Sequence, residues 1–452
     1  MVNFYTPPQK KTTAVKAFEL TAQSLDLLGR GVASVEGITY FCEGLLPTER
    51  ARVIATSIKG KVGIAKITKL LTTSDKRQTP DCDLLKKCGG CPLAHIDKDL
   101  ALESKIIGLQ RLFYKSLGVK LDAPDLVVSS KATGYRRACR LSARADHGKL
   151  SLGFREEKSH ALVKVEQCQV LTERINAVLG KLCAFLDTLS CKHQLGHVEF
   201  LDSDGALGVL LRLTKVLSSQ DEQALVAFAQ KNQLVLSVSE PFKPKISLKK
   251  DEVVIKERLL SGNDEDLFVL SQGVKIFCST SSFVQINKEV NQKLGLFILD
   301  VLKPNSQKRI LDLFCGLGNF TLPIAKGGAT VYGVDVVRDM ITRANANAKE
   351  QGLENAHFAA ANLEESFETQ TFAQGFFDSA ILDPGRQGAP RAIKFLINKK
   401  VPLIVMISCN PQASARDCIE LVNNGYKITS WGVMDMFPRT KHIESILVFS
   451  RS

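Results

Sequence analysis

The chain has 452 residues, 44% of them hydrophobic, and carries 60 Lys and Arg against 47 Asp and Glu. This length provides for about three domains, and no apolar stretch reaches the ~18 residues that a membrane-spanning helix needs. The net charge of +13 indicates a polyanionic partner, with nucleic acid as the first candidate. The first residues lack the charged-then-apolar pattern of a secretory signal, so we expect a cytoplasmic protein that does not enter a membrane.

The first third of the chain holds most of the positive charge. Residues 1–168 contain 28 basic and 17 acidic side chains, which accounts for 11 of the 13 excess charges. We therefore expect a polyanion to dock on the N-terminal part of the molecule, although scattered lysines on a solvated face are the simpler alternative.

Short apolar strands separated by turns occupy residues 13–71. The predicted strands are 17–20, 38–42, 52–56 and 62–67, with a glycine-rich turn at 26–31. Several short strands in about 60 residues are typical of a small closed barrel of the oligonucleotide-binding kind. Such barrels often bind nucleic acid, which agrees with the charge distribution.

Three cysteines lie within ten residues in a polar, glycine-containing segment, Cys82, Cys88 and Cys91. Thiolates this close together need a metal centre to offset their repulsion, and zinc and an iron–sulfur cluster are the two candidates. The C-x5-C-x2-C spacing does not match paired zinc knuckles, which favours iron–sulfur modestly. Cys168 is the best fourth ligand because its surroundings are also polar. Cys139, Cys183 and Cys191 lie in apolar stretches, where a thiol behaves as a small hydrophobe.

The middle of the chain mixes helices and strands. Apolar residues at helical spacing predict a helix over 98–117. A strand over 135–144 would place Arg136, Arg140 and Arg144 on one face and form a stripe that binds phosphates. An exposed strand that is merely basic is the alternative. The topology of this α+β region is not evident from the sequence.

From about residue 279 the pattern alternates between strands and helices. The predicted strands are 310–314, 330–334, 357–360, 379–382 and 403–407, and 337–351 reads as one of the helices between them. This alternation predicts a Rossmann-like, doubly wound α/β domain. Ligands of such domains bind at the carboxyl ends of the strands.

A nucleoside pocket is indicated after the first two of these strands. Gly316 and Gly318 form a G-x-G turn between a strand and a helix, and Asp335 follows the next strand, where a carboxylate can accept both ribose hydroxyls. The third glycine of the dinucleotide fingerprint is missing, which favours S-adenosylmethionine over NAD. Asn362 ends the third strand, either to meet the adenine edge or as a helix cap.

Two further strand ends carry reactive groups. The motif Asp383-Pro384-Gly385-Arg386 lacks the second proline and the aromatic residue of amino-group methyltransferases, so methylation of an exocyclic amine is not expected. Cys409 ends the next strand, in the position of a nucleophile. A thiolate is required when the acceptor is carbon 5 of uracil, since its addition to carbon 6 activates carbon 5. Glu444 is the candidate base for the proton at carbon 5, with an exposed structural glutamate as the alternative.

These motifs together resemble the RNA (uracil-5-)-methyltransferase family. The matching segments are 283–287, 312–320, 383–386, 408–411 and 442–444. With an N-terminal barrel that looks like a TRAM domain and the cysteine motif, the chain is most similar to the branch that modifies 23S ribosomal RNA.

The resemblance implies a set of functional residues. It assigns a [4Fe–4S] cluster to Cys82, Cys88, Cys91 and Cys168, the nucleophile to Cys409 and the base to Glu444. It implies S-adenosylmethionine contacts from Gln285, Phe314, Asn319, Asp335, Asn362 and Asp383. Asp335 stands where glutamate is common in the family, and Asn362 where aspartate is common.

The resulting expectation is a multidomain monomer. Residues 1–75 would form the TRAM or OB-like barrel, 76–280 the central α+β domain with the cluster, and 281–452 the class I methyltransferase domain, with the helix near 98–117 returning to the last of these. The expected reaction forms 5-methyluridine in 23S ribosomal RNA. Transfer RNA as the substrate, and an assembly factor with an inactive methyltransferase fold, are the alternatives.

Overall fold

The computed structural model describes residues 17–156, 159, 161–242 and 254–451. Its contacts divide the chain into two compact units. The first comprises residues up to Pro80 together with Pro92–Leu109, and the second comprises Asp81–Cys91 and Gln110 onward. Among the described residues, no helix combines the length and the apolar character that a membrane span requires.

The N-terminal unit contains a half-barrel of six strands. The strand order is β1-β5-β6-β4-β3-β2, and only the β4–β6 pair is parallel. Inward-facing apolar residues, such as Leu20, Tyr40 and Val53, form its core. The half-barrel is built from β1 (Phe18–Thr21), β2 (Ser24–Leu25), β3 (Gly31–Val35), β4 (Ile38–Cys42), β5 (Arg50–Lys59) and β6 (Val62–Leu70), and α1 (Lys98–Leu117) follows it in the chain.

The strands β1 and β2 belong to one continuous segment. Its first half pairs with β5, and its second half, after Ala22 and Gln23, pairs with β3. The same segment therefore contacts both ends of the row formed by β5, β6, β4 and β3. This curvature follows from the short strands and close turns that the sequence predicts in this region.

The central part of the second unit is a seven-stranded sheet with the order β10-β9-β8-β11-β12-β13-β14. Only β12 and β13 pair in parallel. One face is covered by a helix whose Ile175, Leu179 and Leu182 pack against the sheet. The elements are β7 (Leu126–Ser129), β8 (Ala138–Asp146), β9 (Lys149–Arg155), β10 (Leu162–Lys164), α2 (Glu173–Thr188), β11 (Leu195–Asp202), β12 (Leu207–Leu213), α3 (Ser219–Lys231), β13 (Leu234–Phe242), β14 (Val254–Ser261), β15 (Phe268–Ser271) and β16 (Val274–Phe277).

The remaining residues, together with β7, build an eight-stranded sheet with the order β19-β18-β17-β20-β21-β23-β22-β7. The first five of these strands are parallel, and β23 lies antiparallel between β21 and β22. The elements are α4 (Lys288–Leu302), β17 (Arg309–Leu313), α5 (Thr321–Lys326), β18 (Thr330–Asp335), α6 (Arg338–Glu350), β19 (Ala356–Ala360), β20 (Ser379–Leu382), α7 (Pro390–Asn398), β21 (Leu403–Ser408), α8 (Pro411–Asn423), β22 (Lys427–Asp435) and β23 (Glu444–Ser450).

The five predicted buried strands of this sheet are confirmed to within one residue, and the helix predicted over 98–117 has those bounds. The prediction succeeded because strands buried on both faces need unbroken apolar runs. The sequence did not indicate that β7, from the middle of the chain, pairs in parallel with β22 and completes the sheet. The domain boundaries at residues 75 and 280 stay a prediction.

Candidate active site

The G-x-G turn after β17 is a tightly curved loop. Phe314 has a positive φ of 67°, and its N–H donates to the Val334 carbonyl over 2.8 Å. Gly318 also has a positive φ, and a β-carbon there would lie 3.0 Å from both Leu322 and Phe358. Only glycine fits this position without displacing its neighbours. The loop thus passes close to the end of β18 and leaves room for a ligand.

Asp335 is oriented toward this loop by backbone hydrogen bonds. One carboxylate oxygen accepts the N–H of Gly316 over 3.0 Å, and the other accepts the N–H of Val337 over 2.9 Å. Each oxygen retains a lone pair for a further donor. The geometry is therefore suited to the two adjacent hydroxyls of a ribose.

The predicted cofactor residues Asn319 and Asn362 already have protein partners. Asn319 and Asn291, on α4, exchange reciprocal amide hydrogen bonds of 2.9 Å. No sequence pattern indicated a role for Asn291. The Asn362 side chain donates to Glu365 over 2.9 Å and accepts the N–H of Glu364 over 3.1 Å, so it caps a turn. These contacts are the ones expected if Asn362 is a capping residue. A contact between Asn362 and adenine stays a prediction.

Asp383, at the end of β20, lies beside Gln285. The Gln285 amide nitrogen is 3.3 Å from a carboxylate oxygen of Asp383, and burial raises the pKa of this carboxyl to about 6. Gln285 precedes α4, whose N-cap Asn287 donates to the Ser130 hydroxyl over 2.7 Å and to the Met436 carbonyl over 3.3 Å. These bonds attach the Gln285 segment to the same edge of the sheet.

Cys409 follows β21 directly and is half-buried. Burial raises the pKa of its thiol, and nearby Glu444 and Asp383 raise it further. The next residue, Asn410, caps α8 by accepting the N–H groups of Gln412 and Ala413 over 3.1 and 3.4 Å. The thiol therefore lies next to a helix N-terminus, whose dipole favours the thiolate.

Glu444 is the first residue of β23 and is only 8% exposed. Burial raises the pKa of its carboxyl to about 8, and the charges of Asp383 and Asp435 add to this shift. It is therefore not the exposed structural glutamate that the sequence left open. A buried carboxyl with a pKa near neutrality can take up a proton. The ends of β17, β18 and β21 and the start of β23 thus bring together a potential thiolate, a potential base and a nucleoside-type pocket.

The four predicted ligand cysteines come together in the second unit, each of them half-buried. Burial raises the pKa of Cys91 to about 11, and Cys168, Cys88 and Cys82 contribute to the shift. Burial also raises the pKa of Cys168, and the charges of Cys88 and Cys82 add to this shift. Within the part of the chain that the structure describes, no three His, Cys, Asp or Glu side chains are arranged to hold a single metal ion. An iron–sulfur cluster on these four thiols stays a prediction.

The predicted arginine stripe is shorter than expected. Arg140 and Arg144 lie on β8 and are exposed, but Arg136 precedes the strand, so the prediction of one strand carrying all three was wrong. The reason is that the backbone of Arg136 forms bridges with Leu171 and Asn287 instead. Arg140 is also 3.5 Å from Glu199, and Arg144 is 2.7 Å from Asp146. Contact with RNA at these positions stays a prediction.

Comparisons with known proteins agree with this geometry. The sequence model of the tRNA (Uracil-5-)-methyltransferase family matches residues 97–452. The chain is 35% identical to 23S rRNA (uracil(1939)-C(5))-methyltransferase RlmD of Mannheimia succiniciproducens and 37% identical to that of Salmonella typhi, with 100% of each chain covered.

A solved structure shares the fold. Pyrococcus abyssi tRNA (uracil-54, C5)-methyltransferase, in complex with S-adenosyl-L-homocysteine, superimposes with a TM-score of 0.70 at 23% identity, covering 95% of this chain and 99% of that one.

Proposed function

The chain belongs to the RNA (uracil-5-)-methyltransferase family, and we propose that it methylates carbon 5 of a uridine in 23S ribosomal RNA with S-adenosylmethionine as methyl donor. The observation that carries this proposal is the convergence of Cys409 and Glu444 beside Asp383. Full-length relatives that are named 23S rRNA methyltransferases support the choice of RNA.

The two side chains have complementary roles. The Cys409 thiolate adds to carbon 6 of the uracil, which turns carbon 5 into an enolate carbon. S-adenosylmethionine supplies an electrophilic methyl group for that carbon. Glu444 then removes the hydrogen from carbon 5, and elimination across carbons 5 and 6 releases the Cys409 thiolate and 5-methyluridine. No redox step is needed.

The donor would lie along the loop after β17. Its ribose would bind Asp335, and its remaining contacts would come from Phe314, Asn319, Asn362, Gln285 and Asp383. The support for this placement is the inward curve of the loop and the fixed orientation of Asp335 by Gly316 and Val337. A methyl donor at this edge would lie on the same side of the sheet as Cys409.

The rate of methylation is expected to rise with pH. The pKa of Glu444 is about 8 and that of the Cys409 thiol is raised, and both groups must lose a proton to act. The fraction of ionised Glu444 increases until the pH exceeds 8, so single-turnover rates should grow by at least roughly tenfold between pH 6 and pH 8. A flat profile, with circular dichroism showing intact protein throughout, would contradict these assignments.

The substrate is tested with unmodified RNA transcripts. We expect methyl transfer to 23S ribosomal RNA, with 5-methyluridine as the product, and none to transfer RNA. The family model's description names transfer RNA, so preferential methylation of that RNA would replace our substrate by the alternative. Failure to methylate either RNA, together with no covalent adduct on 5-fluorouridine-substituted RNA, would favour the non-catalytic assembly factor.

We also propose that Cys82, Cys88, Cys91 and Cys168 hold a [4Fe–4S] cluster. Their mutual proximity supports this, because close thiolates are stable only when bound to metal. The cluster would join the loop around Cys88 to the start of α2. Cys168 is itself attached to the start of α2, because the Asn176 side chain bonds the Cys168 backbone over 2.9 and 3.0 Å.

Protein purified without oxygen should be brown and contain about four irons per chain. Cys168→Ala is expected to lose most of the iron, whereas Cys183→Ala, which removes a thiol from the apolar core, should keep it. Iron and sulfide analysis with the visible spectrum measures both. Zinc in place of iron in the wild type would refute the cluster.

The N-terminal half-barrel is proposed to be a TRAM-type RNA-binding module. Residues 1–75 carry ten basic against six acidic side chains, and this excess of positive charge supports the role. Contacts between basic side chains and the RNA backbone would offset the cost of flipping the target base, which is about a few kcal/mol.

A further inference from the structure

A short segment, residues 134–137, connects the cysteine site to the catalytic edge of the sheet. The Gly134 N–H donates to the Gln169 carbonyl, and the Arg136 N–H donates to the Val170 carbonyl, both over 2.8 Å. The Arg137 N–H donates to the Ile286 carbonyl over 3.1 Å. Residues 169 and 170, directly after Cys168, are thus hydrogen-bonded to the segment 134–137. That segment is in turn hydrogen-bonded to Ile286, the neighbour of Gln285.

A second connection runs through residues 436–443, the loop between β22 and β23 that leads to Glu444, here called the base loop. The buried Tyr135 hydroxyl donates to the Pro438 carbonyl over 3.1 Å. The Arg439 guanidinium donates to the Gln169 side-chain oxygen over 2.7 Å. The Arg439 contact joins the base loop directly to the residue after Cys168. The Tyr135 contact joins it to the segment 134–137, which bonds residues 169 and 170.

Arg439 also lies near the thiols themselves. Its positive charge lowers the pKa of Cys91, against the stronger effect of burial. Arg439 adopts a positive φ of 67°, a backbone conformation that is unfavourable for a side chain with a β-carbon. A strained backbone of this kind persists where the surrounding contacts hold it, and the bond of Arg439 to Gln169 is one such contact.

The base loop also has local bonds and a further long-range bond, in which the Asn287 side chain donates to the Met436 carbonyl over 3.3 Å. The Thr440 hydroxyl donates to the Phe437 carbonyl over 2.7 Å, and the His442 N–H donates to the Thr440 hydroxyl over 3.2 Å. These bonds shape the loop but do not place it relative to Cys409. Placement requires long-range partners, and three of these are Asn287, Tyr135 and Gln169. Gln169 is the partner of Arg439 and follows Cys168 directly.

We infer that Arg439 is a positioning residue that holds the base loop against the four-cysteine site, so that the orientation of Glu444 toward its substrate depends on that site. The inference rests on the proposed function, in which Glu444 is the base and the cysteines bind the cluster. Thiolates bound to iron carry net negative charge, which would strengthen the attraction for the guanidinium.

The first test compares Arg439→Gln with Arg111→Gln, a change of an exposed arginine on α1. In Arg439→Gln we expect unchanged iron content and a turnover that falls by about ten- to a hundredfold, as for a misplaced catalytic group. The KM for RNA should change by less than about twofold. Because proton removal is slowed and thiolate addition is not, a covalent RNA adduct should accumulate on ordinary uridine. Arg439→Lys, which keeps the charge, should recover part of the turnover.

Turnover at the wild-type rate in Arg439→Gln with full iron would overturn the inference, as would a loss that Arg111→Gln shares. If Arg439→Gln does not fold, Tyr135→Phe decides, because it removes one hydroxyl and keeps the ring. Slower turnover with adduct accumulation in Tyr135→Phe supports the link, and unchanged turnover refutes it.

The second test does not use activity. Hydrogen–deuterium exchange is measured on the holoprotein and on protein from which iron has been removed anaerobically. Exchange in the base loop should become faster without iron, while α6, on the far side of β17, should keep its protection. Iron binding with an unchanged base loop overturns the inference alone, whereas absence of iron from the wild type overturns the proposed cluster.

Discussion

Replacing Cys409 with alanine should abolish methyl transfer and covalent capture of RNA together. The thiolate has to add to carbon 6 before carbon 5 becomes nucleophilic, and no other described cysteine lies at this edge in an accessible position. We expect a loss of at least about 10⁴-fold in single-turnover rate, as for other nucleophile deletions. The rate is measured with radiolabelled methyl donor and 23S ribosomal RNA.

Covalent capture is measured with 5-fluorouridine-substituted RNA. Fluorine at carbon 5 cannot leave as a cation, so the adduct persists on a denaturing gel. The matched control is Cys418→Ala, on the helix that follows Cys409, because this thiol is fully buried and faces Ser414 in the interior. Cys418→Ala should form the adduct normally. An adduct in Cys409→Ala at the wild-type yield would show that another residue is the nucleophile.

Changing Glu444 to glutamine should trap the reaction at a later stage. Glutamine keeps the shape and the buried position but cannot accept the proton from carbon 5. Turnover is expected to fall by roughly 10²- to 10⁴-fold, the range for loss of a general base. Because Cys409 is intact, the covalent adduct should now accumulate on ordinary uridine RNA in the presence of methyl donor.

The control for this change is Glu354→Gln, in an exposed turn before β19. It removes one negative charge from the same domain and should leave turnover unchanged. A Glu444→Gln variant that methylates at the wild-type rate would remove Glu444 from the mechanism. Loss of both turnover and adduct would instead indicate that the glutamate supports thiolate addition.

Glu444→Gln should also change stability in the opposite direction to activity. The pKa of this carboxyl is about 8 in the folded protein and 4.5 in its ordinary state, so its ionised form destabilises the fold, increasingly as the pH rises from 4.5 and fully above 8. The free energy of unfolding at pH 8 is therefore expected to increase in the variant. A residue that is retained although it destabilises the fold is typically one that the function requires.

The sequence by itself predicted the strands of the catalytic sheet and the residues that follow them. Buried parallel strands require apolar runs, and the reactive residues Asp335, Asp383 and Cys409 stand out because they end such runs. The cysteine motif was equally visible, because its polar surroundings distinguish Cys82, Cys88 and Cys91 from thiols of the core. These features are local, so a single sequence contains them.

Only the tertiary structure decided the connections between distant segments. Strand β7 joins the sheet beside β22, Asn291 pairs with Asn319, and Tyr135 bonds to Pro438 across 303 residues of chain. The raised pKa of Glu444 also depends on burial beside Asp383 and Asp435, which a strand pattern does not reveal. Periodicity reports which face of one element is buried. Which side chains from separate elements meet is determined by packing, and here that packing joins the residue after Cys168 to the loop that leads to Glu444.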